Sequence, residues 1–168
     1  MIRSVVLASL SLTASLLCSQ ASAQGVMPTP GDDVAYTSWQ FSPLTLHFHP
    51  SPEHKHAVSV AYEQTLKDNH TRSLVLFTNS FGQPSVYFSP WGQRFDNLLG
   101  QPNLFAKWNA GIIYGYRGEY KDKVPFNHGG FSPGLFVALG YRFSPQTEVQ
   151  VNLLGTAAVQ FQMNFNVR

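Results

Sequence analysis

The fold class that the sequence predicts is all-β, an eight-stranded antiparallel barrel with an apolar interior pocket, and three observations support it. Only 12% of the 168 residues are charged although 43% are hydrophobic, whereas soluble domains have about 25% charged residues. Eleven prolines and thirteen glycines argue against a long helical bundle. Apolar and polar residues alternate with a period of two in successive segments, which is the pattern of half-buried strands.

The first 23 residues have the features of a secretory signal peptide. Arg3 precedes an apolar run from Val5 to Cys18, and residues 21–23 form an Ala-Ser-Ala cleavage site. This run is shorter than the about 20 apolar residues of a membrane-spanning helix. Cleavage after Ala23 removes the one cysteine, so we expect neither a disulfide nor a cysteine metal site in the mature chain.

The mature chain has almost no net charge. Removing Arg3 leaves ten Lys and Arg against nine Asp and Glu, a balance of +1. There is no basic stripe to bind a nucleic acid, so we expect no nucleic-acid partner. We expect a monomer that needs no cofactor.

The last predicted strand has the clearest alternation. Its apolar and polar residues occupy opposite faces: Val159, Phe161, Met163 and Phe165 on one, Gln160, Gln162 and Asn164 on the other. Similar segments occur throughout the mature chain. The eight predicted strands cover residues 44–49, 57–65, 71–79, 84–94, 104–115, 132–143, 149–153 and 159–165.

Eight antiparallel strands can form the smallest outer-membrane barrel, whose strands need about 9 to 11 residues to cross a bilayer. Apolar residues on the outward faces and aromatic residues near strand ends favour this barrel over a soluble lipocalin-like barrel or sandwich. The predicted aromatic girdle comprises Trp91, Phe105, Trp108, Tyr114, Tyr116, Tyr141, Phe143 and Phe165. We therefore expect a short periplasmic segment at residues 24–42 and an eight-stranded outer-membrane barrel at residues 43–168.

Small or apolar residues on inward positions of the middle strands indicate the interior pocket: Val75, Phe77, Gly111 and Ile113. With a periplasmic N-terminus, the links near 50–56, 80–84, 116–131 and 154–156 face outward. Polar residues that can do chemistry gather on these links, which include one long loop.

Two segments at the outward end resemble the active-site segments of a known enzyme family. Leu44-Thr45-Leu46-His47 and Leu76-Phe77-Thr78-Asn79-Ser80-Phe81 are similar to those of the lipid A palmitoyltransferases, the PagP family. The resemblance implies an outer-membrane acyltransferase that moves a palmitoyl chain from a phospholipid to a hydroxyl of lipid A. Asn79 stands where the family has an aspartate, and the amphipathic helix that precedes the family's barrel is absent or much reduced.

The resemblance implies a catalytic set of His47, Asn79 and Ser80. His47 is the expected general base, because neutral imidazole accepts a proton near neutral pH. Ser80 is either the nucleophile or a donor to the developing oxyanion. Asn79 orients the imidazole or donates to the oxyanion, unless a loop acid, Glu53 or Glu119, takes the orienting role.

The expected substrates are a phospholipid acyl donor and lipid A within the outer-membrane lipids. Tyr116, Arg117, Lys121 and Lys123 lie on the long loop and are the expected substrate-binding residues. Arginine and lysine make charge-assisted hydrogen bonds to phosphate oxygens such as those of lipid A.

Several alternatives stay open at this point. The chain is alternatively a non-enzymatic barrel that binds or transports lipid-like ligands. His47, His49, His54 and His56 form a loose histidine cluster, but their spacing is not that of a metal site and we expect none. Residues 79–82 are also ordinary turn formers. Pro43, Pro84, Pro90 and Pro133 are ordinary strand-end prolines or, as the resemblance implies, mark gaps through which lipid reaches the interior.

Signal-peptide cleavage is testable in a bacterial host. We expect the mature protein to begin at Gln24, which intact-mass spectrometry will show. Ala23→Asp should block processing because the residue before the cut must be small, whereas Ser22→Asn should leave it intact. An uncleaved chain in the wild type would contradict this expectation.

Overall fold

The computed structural model describes residues 33–167. The predicted signal peptide, residues 1–23, lies outside the described residues, as does most of the predicted segment at 24–42. The described chain forms one closed antiparallel barrel in which each strand pairs with the next and the last pairs with the first. The strands are β1 (Val34–His47), β2 (Ser59–Leu66), β3 (Thr71–Thr78), β4 (Pro84–Asp96), β5 (Leu104–Tyr114), β6 (Phe131–Ser144), β7 (Thr147–Leu154) and β8 (Ala158–Val167).

The predicted eight-stranded antiparallel barrel is therefore confirmed. Two short helical turns, Leu98–Gly100 and Gly118–Lys123, lie in its connections. Neither of these helices in residues 33–167 is long and apolar enough to span a membrane.

The boundary predicted at residue 43 is wrong, because β1 begins at Val34. Trp39 and Phe41 point outward and are exposed, whereas Ser42 is buried, so the period of two extends upstream of Pro43. The pairing of β1 with β8 shifts register between Phe41 and Leu44. A bulge at this point accommodates the proline, which has no N–H to give to the ladder.

The connections divide into two rims. Residues 48–58, 79–83, 115–130 and 155–157 form what we call the loop rim, as the sequence predicts. The other connections, 67–70, 97–103 and 145–146, form the terminal rim together with Val34 and Val167, the first and last strand residues. The four links predicted to face outward thus share one end of the barrel.

The outer wall of the barrel is apolar. Side chains on alternate positions are exposed to the outside: Val60, Leu74, Leu76, Phe88, Trp91, Trp108, Ile112, Leu135, Val137, Leu139, Tyr141, Phe143, Val151, Leu153, Phe161, Met163 and Phe165. Monomeric soluble proteins rarely expose contiguous apolar patches of more than a few hundred Å². The girdle prediction is wrong for Phe105, which points inward and is only 1% exposed. It shares the inward face of β5 with Lys107 and packs against Gly140, where a Cβ would lie 2.2 Å from the Phe105 ring.

Charged residues fill the interior near the terminal rim. Arg94 binds Glu148 through two hydrogen bonds of 3.0 and 2.8 Å, and its guanidinium lies 3.7 Å from the centre of the Phe105 ring. Arg142 and Asp96 extend the cluster, since Arg142 donates to both Glu148 and Asp96. These pairs satisfy charges that would otherwise be expensive to bury.

The middle of the interior is polar on one side of the barrel and apolar on the other. Lys107 donates to both Glu63 carboxylate oxygens at 2.7 and 2.9 Å, and a network of amide side chains surrounds this pair: Gln40, Gln150, Asn152, Gln160, Gln162 and Asn164. Nearer the loop rim, Tyr87 and Phe136 pack edge to face at 4.9 Å. The predicted apolar interior is therefore restricted to one side of the barrel, because Gln160 bonds to Ser59 and Thr45 close to the loop rim.

The buried pair at the terminal rim is expected to contribute most to stability. Glu148→Ala leaves the buried Arg94 without its bidentate partner and should lower the free energy of unfolding by about 3–5 kcal/mol. Glu53→Ala is the matched control, because the Glu53–Lys123 pair is about half exposed and is worth at most about 1 kcal/mol. Urea unfolding of the detergent-solubilised barrel, followed by tryptophan fluorescence, measures both. Equal losses would contradict the prediction.

Candidate functional site

His47 and Ser80 meet at the loop rim, as the sequence predicts. His47 ends β1 and Ser80 lies in the turn between β3 and β4, so β2 separates their strands in the barrel wall. His47 Nε2 and Ser80 Oγ are nevertheless 2.5 Å apart. This short hydrogen bond joins a base to a hydroxyl, which is the arrangement needed to activate a nucleophile or to relay a proton.

Loop 48–58 holds the two residues together from above β2. The backbone N–H of Lys55 donates to the Ser80 carbonyl at 2.7 Å. At the base of the loop, the Thr45 hydroxyl donates to the carbonyl of Ala57 at 3.2 Å. The loop is thereby fixed to both β1 and the 79–83 turn.

Asn79 builds the turn that presents Ser80. Its Oδ1 accepts the backbone N–H groups of Phe81 and Gln83, each at 3.0 Å. Its Nδ2 donates to Gln83 Oε1 at 3.3 Å and to the Gly115 carbonyl at 3.4 Å. Both ends of the carboxamide are therefore engaged, and the part of the chain that Asn79 orients is the turn, not the His47 ring.

This geometry explains why an asparagine suits position 79. An aspartate has no N–H to donate to the two oxygens that Asn79 Nδ2 contacts. Asn79 is also only 1% exposed, so a carboxylate there would be buried against a carbonyl. The hydrogen bonds of this turn therefore use both the oxygen and the nitrogen of a carboxamide.

A second histidine, missed in the sequence as a site residue, packs on His47. The His47 and His54 rings have centroids 4.2 Å apart and planes inclined by 35°. The other side of His54 meets the edge of Phe81 at 5.5 Å. No spacing in the sequence points to this contact, because it depends on how the 48–58 loop folds back over β2.

Tyr116 completes a group of three polar side chains. It is half-buried, and its phenol interacts with the Ser80 side chain. Burial raises the pKa of Tyr116 above its usual value, although the Ser80 interaction opposes this effect. The phenol is thus protonated at neutral pH and is able to donate a hydrogen bond. Tyr116, expected to bind substrate, therefore contacts Ser80 of the His47–Ser80 pair directly.

The long loop covers the site from one side. Tyr120 stacks on Phe81 at 4.4 Å with planes inclined by 14°, and Lys123 Nζ lies 5.3 Å from the centre of the same ring. Lys123 also pairs with Glu53 at 3.2 Å, which connects loop 115–130 to loop 48–58. Phe81, the residue after Ser80, is therefore the centre of the packing at this rim.

The two candidate acids do not contact the imidazole. Glu53 binds Lys123, and Glu119 faces Tyr120, whose pKa rises because of the hydrogen bond between them. Within residues 33–167, neither Glu53 nor Glu119 is in contact with the His47 side chain. The alternative in which Glu53 or Glu119 orients the base thus has no contact to support it among these residues.

The basic residues divide between two places. Lys123 lies over Phe81, whereas the Arg117 guanidinium lies 5.6 Å from the centre of the Tyr114 ring. Lys121 is exposed on the helical turn between them. Within residues 33–167, no group of three or more His, Cys, Asp or Glu residues is arranged to hold a metal ion.

A cavity of about 90 Å³ lies inside the barrel. Apolar side chains line one part of it: Val75, Phe77, Tyr87, Phe136 and Leu154. Polar side chains line the rest: Gln40, Ser59, Glu63, Ser73, Lys107, Asn109, Gln150, Asn152, Gln160 and Gln162. Its volume is below the about 300–1,000 Å³ of typical ligand pockets. A long ligand fits only if the side chains around it move.

The sequence matches no model of a known protein family, and no curated protein is similar to it. Neither comparison supports the resemblance to the lipid A palmitoyltransferases, which stays an expectation from the sequence.

The structural role of Asn79 is testable by an isosteric change. Asn79→Asp removes two hydrogen-bond donors and should lower the free energy of unfolding by about 1–3 kcal/mol at neutral pH. Asn103→Asp, on an exposed loop of the terminal rim, is the matched control and should change stability little. Urea unfolding of both variants measures the difference. An unchanged stability for Asn79→Asp would show that the carboxamide is not required.

Proposed function

We propose that this protein is an outer-membrane acyltransferase that moves a palmitoyl chain from a phospholipid to a hydroxyl of lipid A. The observation that carries the proposal is the 2.5 Å contact between His47 Nε2 and Ser80 Oγ at one rim of a barrel with an apolar outer wall. A base and a hydroxyl so arranged are the minimum for acyl transfer. The apolar wall would hold that pair at the level of lipid headgroups and ester bonds.

The outer membrane is the location that best fits the exterior. The strands have eight to fourteen residues, which brackets the about 9 to 11 that cross a bilayer at a tilt. Closing the barrel pairs every strand, so no open sheet edge meets lipid. The predicted signal peptide and the even strand number agree with this location.

The chemistry has two routes that share His47. In the first, Ser80 Oγ attacks the ester carbonyl while its proton passes to His47 Nε2, and His47 then protonates the departing lysophospholipid oxygen. The lipid A hydroxyl attacks the resulting acyl-serine, giving its proton to His47, and Ser80 is released as the free hydroxyl when that proton returns.

In the second route, His47 takes the proton directly from the lipid A hydroxyl. That oxygen attacks the phospholipid ester, and the Ser80 hydroxyl donates to the oxyanion that forms. The tetrahedral intermediate then expels the lysophospholipid, which takes the proton from His47. Tyr116 is a second donor within reach of Ser80, and such donors act most strongly where water is excluded.

The interior near the loop rim is the proposed site for the acyl chain. The Lys107–Glu63 pair lies deeper in the barrel and limits how far an apolar chain can go, and the amides of β7 and β8 line one side of the path up to the loop rim. Because the cavity holds about 90 Å³, a palmitoyl chain fits only if lining side chains move, and Tyr87 and Phe136 are the two aromatic rings packed together there. The acyl length accepted is therefore expected to depend on these two rings.

Two of the four prolines coincide with irregularities in the wall. Register shifts occur at Pro43, between β1 and β8, and at Pro90, between β4 and β5. Pro84 and Pro133 instead pair with Thr78 and Ile112 in continuous ladders. If lipid reaches the interior sideways, as the resemblance implies, Pro43 and Pro90 mark the weaker points.

The basic residues of the long loop are the proposed partners of lipid A phosphates. Arg117 and Lys121 are exposed and free to turn towards a headgroup. Lys123 is engaged with Glu53 and has 45% of its side chain exposed. A phosphate would have to displace the Glu53 carboxylate from Lys123. Because the Lys123–Glu53 pair is exposed, breaking it costs little free energy.

A non-enzymatic barrel that binds or transports lipid-like ligands is the second candidate. The observation that favours it is that Asn79 is engaged within its own turn and that, among the contacts of residues 33–167, no carboxylate supports the His47 imidazole. Such a barrel would not modify lipid A.

Mass spectrometry of lipid A distinguishes the two functions. Cells that express the wild-type gene should contain lipid A with an added palmitate-sized mass, which cells without the gene lack. His47→Ala and Ser80→Ala should reduce this product at least about 100-fold. His49→Ala, two residues along and exposed, is the control that should keep it. Folded wild-type protein without any mass change on overexpression would contradict the enzyme and favour the second candidate.

A further inference from the structure

The His54 ring packs on His47 with a centroid distance of 4.2 Å, but the acid–base chemistry proposed for His47 and Ser80 gives His54 no role. His47 Nε2 already faces Ser80, and Asn79 is engaged within its turn. Something else must hold the imidazole ring so that Nε2 points at Ser80. His54 is the aromatic ring in contact with it.

His54 is itself held in one orientation. Its Nδ1 accepts the backbone N–H of Ser51 at 3.3 Å, and the backbone N–H of His54 donates to the Ser51 carbonyl at 2.9 Å. Since Nδ1 accepts, the proton of the neutral ring is on Nε2. Pro50 and Pro52 on either side of Ser51 restrict the backbone of this turn. The loop backbone that carries the His54 ring is therefore held in place where the ring contacts His47.

The packing on the far side adds a further constraint. Phe81 meets His54 edge-on at 5.5 Å and is stacked in turn by Tyr120 at 4.4 Å. His47 thus ends a row of four rings that begins on the long loop. A rotation of the His47 ring away from Ser80 would have to displace His54.

A rigid neighbour is what a general base needs. A residue displaced by about 1 Å can cost about 100-fold in rate. A carboxylate commonly orients a catalytic imidazole, but no acid contacts His47 among the contacts of residues 33–167. Ring packing supplies an orienting force without a charge.

We propose that His54 is the positioning residue of His47, holding the imidazole by ring contact so that Nε2 faces Ser80. The inference rests on the proposed function for its catalytic consequence. Its structural part, the control of His47 by the His54 ring, stands on geometry and is measurable separately.

Two substitutions separate the ring from the loop hydrogen bond. His54→Phe keeps an aromatic ring against His47 but loses the acceptor for Ser51. His54→Asn keeps an acceptor, Oδ1, near the place of Nδ1 but loses the ring. His56→Phe and His56→Asn, at an exposed position two residues along, are the matched controls.

The lipid A assay then tests positioning. We expect His54→Phe to keep transfer within about threefold of the wild type, and His54→Asn to lose about 10- to 100-fold. Both His56 variants should behave as wild type. The reverse order, with His54→Asn active and His54→Phe inactive, would overturn the proposal, because it would mean that His54 serves only to hold the loop. Full activity of both His54 variants would overturn it as well.

A second readout does not depend on acyl transfer. Diethyl pyrocarbonate modifies accessible neutral imidazoles, and peptide mass spectrometry locates the label at His47. The labelling rate at His47 should rise several-fold in His54→Asn but not in His54→Phe, because the ring at position 54 packs on His47 and asparagine leaves that face of the imidazole open. An equal rise in both variants, or in neither, would overturn the proposal. If the wild type transfers no acyl chain, the proposed function fails, whereas this labelling result still decides whether His54 controls His47.

Discussion

Closure of eight strands into a barrel is the constraint on which the rest of the structure depends. A barrel of this size has an interior only wide enough for side chains, so inward residues of opposite strands must meet and satisfy one another. Arg94 of β4 meets Glu148 of β7, and Lys107 of β5 meets Glu63 of β2. Each buried charge has a bidentate partner, which offsets the cost of removing it from water.

The same constraint decides where chemistry is feasible. The interior near the terminal rim is occupied by ion pairs and amides, and the outer wall is apolar. A reactive group that is both ordered and accessible must then lie at a rim. His47 and Ser80 lie at the loop rim, where loops 48–58 and 115–130 bury them partly without sealing them.

Packing around Phe81 unites the parts of that rim. His54 approaches Phe81 from loop 48–58, whereas Tyr120 and Lys123 approach it from loop 115–130. Phe81 is 7% exposed, so the turn that carries Ser80 is held by apolar contact as well as by the Asn79 hydrogen bonds. The geometry of the candidate site is therefore a property of three loops, each anchored to different strands.

Strand alternation was predictable because it is a local property of the chain. Side chains alternate across a strand whatever its partners, so the sequence alone determined an eight-stranded antiparallel barrel, the outward apolar face and the rim to which the polar residues belong. It failed where a residue had two local interpretations. The sequence predicts that the barrel begins at Pro43, which instead lies at a bulge within β1. It predicts Phe105 as a girdle aromatic, which instead is an interior ring against Arg94 and Gly140.

The candidate site was predictable only in part. The pairing of His47 with Ser80, 33 residues apart, followed from the resemblance and not from spacing. Only the tertiary structure decided that Asn79 is committed to its own turn, that Glu53 and Glu119 bind other partners, and that His54 packs on His47. These outcomes depend on which loops cross which strands once the barrel has closed, and such long-range contacts leave no period in the sequence.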